Sequence, residues 1–380
     1  MSKSALRRRA KEARHWLFDA CFPLWSERGL NESGLFVDAL SLDHTPLAGD
    51  TVLVSTQARQ TSVFAQAGRL GWKPDTARDL VEDGVRTLSG LARRDDGLIG
   101  RALLADASAL SDQTPYLGDL AASLHALALS SEMLEDGSGV IASVRALLDS
   151  LDRRMKDRTN GGYAEMLPMM ATRQQAPHMR LLEACLALQR ADPEGDHLAR
   201  ASDLVTLFHE KFTAGPGGLL GEEFGPDWSA PEGDPARLVA PSHQFQWVWL
   251  LGAFASAQSE PMAPIAGRLY SFATGTLDEE GRTLQQVSRD GGAQDSGRQT
   301  SAQTEALRAH LTMLEMTDDD AVAAAACTSF DILMDEHLTP EGGWIDAYDG
   351  DGHIISNSMP AATGHDVARA FSELIRVMNA

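Results

Sequence analysis

The chain has 380 residues, with 54 acidic against 33 basic side chains and a formal net charge of -21. With 43% hydrophobic and 23% charged residues it can bury a substantial core, which excludes a disordered polymer. The acidic balance and a pI near 4.8 argue against nucleic acid or an anionic membrane as partner, because such binding rests on clustered Lys and Arg.

In chain order, the basic start Met1 to Arg14 lacks an apolar targeting core and runs into an apolar face carrying Trp16, Leu17, Cys21, Leu24 and Trp25. A turn phrase, Gly34-Leu35-Phe36, follows. It recurs about every sixty residues as Gly97-Leu98-Ile99, Gly161-Gly162-Tyr163, Gly217-Gly218-Leu219, a weaker Gly281 to Gly292 segment, and Gly342-Gly343-Trp344. Between the phrases, Leu80, Val81, Val85, Leu88 and Leu91, and again Leu198, Ala201, Leu204, Val205 and Phe208, have the spacing of a one-faced helix. Leu117 to Leu129, Leu181 to Leu188 and Phe245 to Phe254 are apolar nearly all round, as buried helices are.

Each unit therefore holds one inner and one outer helix plus a Gly-containing excursion. Six such hairpins predict an all-α chain, a single domain over residues 1–380, arranged as an (α/α)6 barrel with short β-hairpin excursions at the cavity rim. An open solenoid is the alternative, though it would not need inner helices so uniformly apolar. No run approaches the roughly 18 apolar residues of a membrane span. Cys21, Cys185 and Cys327 are far apart and form no CxxC pair, so the reading is a reduced, cytoplasmic protein without a structural metal.

No P-loop, dinucleotide-binding glycine fingerprint, HExxH or GxSxG motif is present. What stands out is four polar groups of residues, each opening an apolar helix: Gln57-Ala58-Arg59-Gln60, Pro177-His178-Met179-Arg180, Pro241-Ser242-His243-Gln244-Phe245-Gln246-Trp247, and Met359 to Asp366. Polar groups at such positions pair with one another or face a wet cavity. Helix N-termini converging on one cavity favour oxyanions and polar ligands.

At these residues the chain resembles the N-acylglucosamine 2-epimerase family, which includes mannose isomerases and cellobiose 2-epimerases. QARQTSVFAQAGRLGW, from Gln57 to Trp72, carries the likeness, and QQAPHMRLLEACLAL, PSHQFQWVWLL, AQTEALRAHL and GGWIDAYDGDG continue it. The resemblance implies an (α/α)6 barrel and epimerisation or aldose-ketose isomerisation of sugars by proton transfer next to the carbonyl, with no cofactor and no metal. It implies Arg59 as a substrate-orienting cation and His243 as a proton-transfer residue.

Three positions depart from the family pattern. His178-Met179-Arg180 stands where the family has His-Met-His, Gln246 where it has Glu, and Asp366 where it has a catalytic His, with His365 one residue away. A one-residue offset turns a helical side chain by about 100°, and neutral Gln246 cannot stabilise an imidazolium as a carboxylate does. Two readings follow. In one, Arg59 and Arg180 form a doubly cationic pocket for an acidic or phosphorylated sugar, Asp366 serves as base with His243, and His178, Gln246, Trp247, Glu305 and His365 support the site, with Trp247 as a flat wall for a sugar face. In the other, Arg180 and Asp366 pair with each other in a catalytically altered member that binds a carbohydrate or a protein. The partner in the first reading is a small-molecule sugar, and a homodimer is the assembly it allows.

Overall fold

The computed structural model describes residues 2–231, 233 and 237–379. Six inner helices form its central ring: α2 (Val54–Leu70), α4 (Leu117–Ser131), α6 (Ala176–Ala191), α8 (Pro241–Gln258), α10 (Thr300–Thr317) and α12 (Ala361–Met378). The outer layer is α1 (Ser2–Trp16), extended by a π-helical turn through Leu17–Cys21 into Phe22–Arg28, followed by α3 (Pro74–Arg86), α5 (Gly137–Arg154), α7 (His197–Leu207), α9 (Pro264–Gly275) and α11 (Asp320–Ile332).

The burial pattern sorts the two layers as their sequences predict. Outer α3 buries a stripe, Ala77, Leu80, Val81 and Gly84, and leaves the rest to solvent. Inner α4 buries Leu117, Leu120, Ala121, Leu124, Ala126, Leu127, Ala128 and Leu129, on every side. Each inner helix packs on the next, and α12 packs back on α2. Closure is therefore a barrel and not a solenoid. Two contacts seal it: Ala39–Ser41 pairs antiparallel with Ser358–Pro360, and the Gln60 side-chain amide donates to the Ala361 carbonyl at 3.0 Å.

The repeated turn phrase lies just past each outer helix. It closes small antiparallel bridges, Leu30 with Phe36, Arg93 with Ile99, Lys156 with Tyr163 and Leu338 with Trp344. Gly34, Gly97, Gly161 and Gly342 sit there at φ of 78°, 83°, 83° and 90°, in the left-handed region that favours glycine. Short strands beyond the turns pair between neighbouring excursions, as Thr51–Leu53 does with Ala102–Leu104. These pairs rim the N-terminal ends of the inner helices.

Gly84 is where an outer helix comes closest to an inner one. A Cβ there would lie 2.0 Å from the Thr61 hydroxyl oxygen, which itself donates to the Gln57 carbonyl at 2.7 Å. Gly84→Ala should gain about 1 kcal/mol in helix propensity and lose about 1–3 kcal/mol to overpacking. The expected result is a lower unfolding midpoint in urea, opposite in sign to the propensity scale.

Candidate active site

Four of the residues picked out in the sequence meet at the N-terminal mouth of the barrel. Arg59 comes from α2, Arg180 from the first turns of α6, His243 from the first turn of α8 and Asp366 from α12. Arg59 feels Arg180, Asp366 and Asp119; His243 feels Arg180 and Glu305. Their shared position near helix starts explains the convergence, since all the inner helices enter the ring from this side.

Arg59 and Arg180 make no hydrogen bond or ion pair among the described residues. Two guanidinium groups close together in a buried site repel. Burial first, then Arg180, pulls the Arg59 pKa down to about 10. Asp366 and Asp119 offset this only at a distance, so the two guanidinium groups keep donors for an anion.

His243 has what Gln246 cannot offer. Its Nδ1 lies 2.7 Å from Oε2 of Glu222, a residue in the excursion after Gly217-Gly218. Glu222 is held in turn by the Gln175 side-chain amide at 3.1 Å and the Ala240 N–H at 3.3 Å. Burial pulls the imidazole pKa down, but the Glu222 carboxylate outweighs it and the net shift is upward. On Glu222 burial pushes up and His243 pulls down, leaving the carboxyl below its ordinary range. With Nδ1 committed to the carboxylate, Nε2 is the nitrogen left to exchange a proton.

Asp366 does not bond Arg180. Its carboxylate lies 3.7 Å from Nη2 of Arg369 and 3.5 Å from Nδ1 of His365. Burial alone would raise its pKa, yet His365, Arg369 and Arg59 hold it well below the carboxylate range, so it is a weak base. His365 lines a void of about 20 Å³ together with Arg59, Ser62, His125 and Arg180. Apart from the 3.5 Å approach of Asp366 to Nδ1, its ring nitrogens have no hydrogen-bond partner among the described residues. Burial lowers its pKa to about 4, so the ring is neutral.

Other expected residues are turned to structural work. His178 is fully buried: Nε2 accepts from the Tyr163 N–H at 3.0 Å, the ring packs edge-on against Phe212 and Trp228, and burial lowers its pKa to about 3. Trp247, also fully buried, stacks on Phe208 with centroids 4.1 Å apart and donates to Gln175 Oε1 at 3.0 Å, so it offers no face to a sugar. It braces the Gln175–Glu222–His243 chain from behind. Gln246 is buried on the same helix, and Glu305 is locked between Arg308 and Arg369 at 2.9 and 2.6 Å.

Two residues that sequence reasoning passed over belong here. Asp119, on the first turn of α4, is 7% exposed, and its Oδ2 has no hydrogen-bond partner among the described residues. Burial raises its pKa to about 6 against the pull of Arg101 and Arg59. A carboxylate opening an otherwise apolar helix was its signal. Glu222 had none, since it lies 21 residues before His243 in an irregular segment.

Comparison with known proteins bears on the family and the fold. Residues 34–367 match the model of the N-acylglucosamine 2-epimerase (GlcNAc 2-epimerase) family. The chain belongs to that family. Over 378 residues it is 30% identical to the mannose-6-phosphate isomerase of Rhizobium meliloti (strain 1021), covering 96% of each chain. Among solved structures it resembles the cellobiose 2-epimerase of Spirochaeta thermophila DSM 6192, with a TM-score of 0.88 at 20% identity and coverage of 98% and 97%. A D-mannose isomerase follows at a TM-score of 0.85, 18% identity and the same coverage. As a family member the chain is an enzyme of sugar isomerisation or epimerisation. No helix among its described residues is long and apolar enough to cross a membrane.

Proposed function

We propose that this enzyme isomerises an acidic or phosphorylated sugar between its aldose and ketose forms. The observation that carries the reading is the His243–Glu222 pair close to Arg180, which neighbours Arg59, neither guanidinium making an ion pair among the described residues. In the reaction Nε2 of His243 takes the proton from C2, and the resulting enediolate spreads its charge over O1 and O2 next to the arginines. The same imidazolium then returns the proton to C1 while the O2 hydroxyl proton passes to O1, so no atom or electron is gained or lost. An aldose-ketose shift on one face needs one such base. Epimerisation at C2 needs groups on both faces, and Asp366, held ionised by Arg369, is poorly suited to be the second.

The named activity of the R. meliloti relative, on a sugar phosphate, supports an anionic substrate. We further infer a cytoplasmic, cofactor-independent enzyme. The three cysteines are free and buried, as suits a reducing compartment, and the proposed proton transfers use side chains of the chain alone.

The test is deuterium wash-in, followed by NMR, with mannose 6-phosphate, glucose 6-phosphate, hexuronates and the neutral parent sugars. Exchange at C2 and ketose formation are expected for anionic sugars. Equal turnover of the neutral parents, or no exchange with any sugar, would overturn the proposal. Arg180→Ala should raise KM for the anionic substrate by about 10- to 100-fold, the worth of a charged hydrogen bond of about 1.5–3 kcal/mol. kcat should change less. Steady-state kinetics on the wild type and the variant check this.

A further inference from the structure

The barrel has a second mouth, at the C-terminal ends of the inner helices, and a cavity of about 900 Å³ opens there. That is the size of a small-molecule site. Beneath it lies a closed ionic quartet: Arg308 bonds Glu183 at 3.0 Å and Glu305 at 2.9 Å, and Arg369 bonds the same two glutamates at 2.5 and 2.6 Å. The quartet separates this cavity from the small void beside Arg59 and Arg180. His125, Glu183 and Arg369 line both spaces.

The lining has a definite chemistry. Five arginines and three glutamates face the cavity; Glu305 and Glu132, just behind the lining, also pair with those arginines, so the charge that can meet an anion is at the rim. Arg69 and Arg190 sit in the last turns of α2 and α6, where the helix dipole favours cations, so their presence alone is ordinary. Their weak anchoring is less so. Both reach one glutamate, Glu132, at 3.3 and 3.9 Å, and their side chains are 46% and 59% exposed. Deeper in, the Arg308 guanidinium lies 3.8 Å from the centroid of the Trp249 ring, and Gln66, Ser256 and Thr312 add amide and hydroxyl groups to the wall.

We infer that this cavity is a second ligand site, distinct from the reaction end, for a small hydroxylated anion such as a sugar phosphate. The loosely held Arg69 and Arg190 would take the anionic group at the rim. The amides and hydroxyls would take the sugar hydroxyls, with Trp249 as an apolar wall. Arg369 forms part of this cavity's floor and also lies 3.7 Å from Asp366, so the two ends share one guanidinium.

The test separates this site from the reaction end by using the Arg59→Ala/Arg180→Ala double variant, full length, as background. Calorimetric titration with glucose 6-phosphate should show one saturable site there. Adding Arg69→Ala and Arg190→Ala should weaken that site by about tenfold or more, the loss of charge-assisted bonds to the anion. Both side chains are solvent-exposed, and an unchanged circular-dichroism melt shows that the fold is kept. No saturable binding in the background variant, or binding that the rim substitutions leave unchanged, overturns the inference. Inorganic phosphate binding as tightly as the sugar phosphate overturns its sugar component. None of these readouts uses turnover, so they stand whatever the reaction end proves to do.

Discussion

His243→Gln should lower the rate of C2 proton exchange by about 10²- to 10⁴-fold, the usual contribution of a positioned acid-base group. Its partner shows the mechanism. Glu222→Gln keeps the shape but removes the charge that raises the imidazole pKa, so the acidic limb of the kcat/KM profile should move to lower pH. The sign follows from the base needing to be neutral: rate rises as pH passes the His243 pKa, and a lower pKa brings that rise earlier. An unmoved limb would show that Glu222 does not govern this histidine.

The same pair makes stability depend on pH. His243 titrates higher in the folded state, so its contribution is complete below the ordinary value of 6.5 and is lost as pH rises through the folded value. Glu222 titrates lower when folded, so its contribution is present above the ordinary 4.5 and is lost as pH falls through the folded value. The interaction therefore stabilises most between these two ordinary values.

Glu183→Gln should destabilise the fold by about 3–5 kcal/mol, because it leaves Arg308 and Arg369 buried with one carboxylate between them. Both arginines bond Glu183, and their side chains are only 2% and 5% exposed. Urea unfolding of the variant measures the loss. The surface pair Arg376–Glu315, with side chains 54% and 42% exposed, supplies the contrast: Glu315→Gln should cost less than about 1 kcal/mol. Equal costs would mean that the quartet is no more than a set of surface-like bridges.

The barrel itself was legible because its signals are local. A stripe of apolar residues on α3, an all-round apolar α4 and a glycine past each outer helix are each properties of a dozen adjacent residues. Arg59, Arg180, His243 and Asp366 were legible as candidates for the same reason, being polar residues at the starts of apolar helices. Orientation was not. His178 and His243 look alike in sequence, yet one accepts from the Tyr163 N–H in the core and the other stays partly exposed and pairs with Glu222.

By itself, then, the sequence determined the repeat, the two helix layers, the family and the departures at Arg180, Gln246 and Asp366. Only the tertiary structure decided what those residues touch. It placed Glu222 against His243, turned Asp366 toward Arg369 instead of Arg180, and left Arg59 and Arg180 without an ion pair among the described residues. The reason is physical: helix periodicity depends on neighbours three and four residues apart, whereas charge pairing depends on distances of about 3–4 Å between groups that the fold brings together from anywhere in the chain.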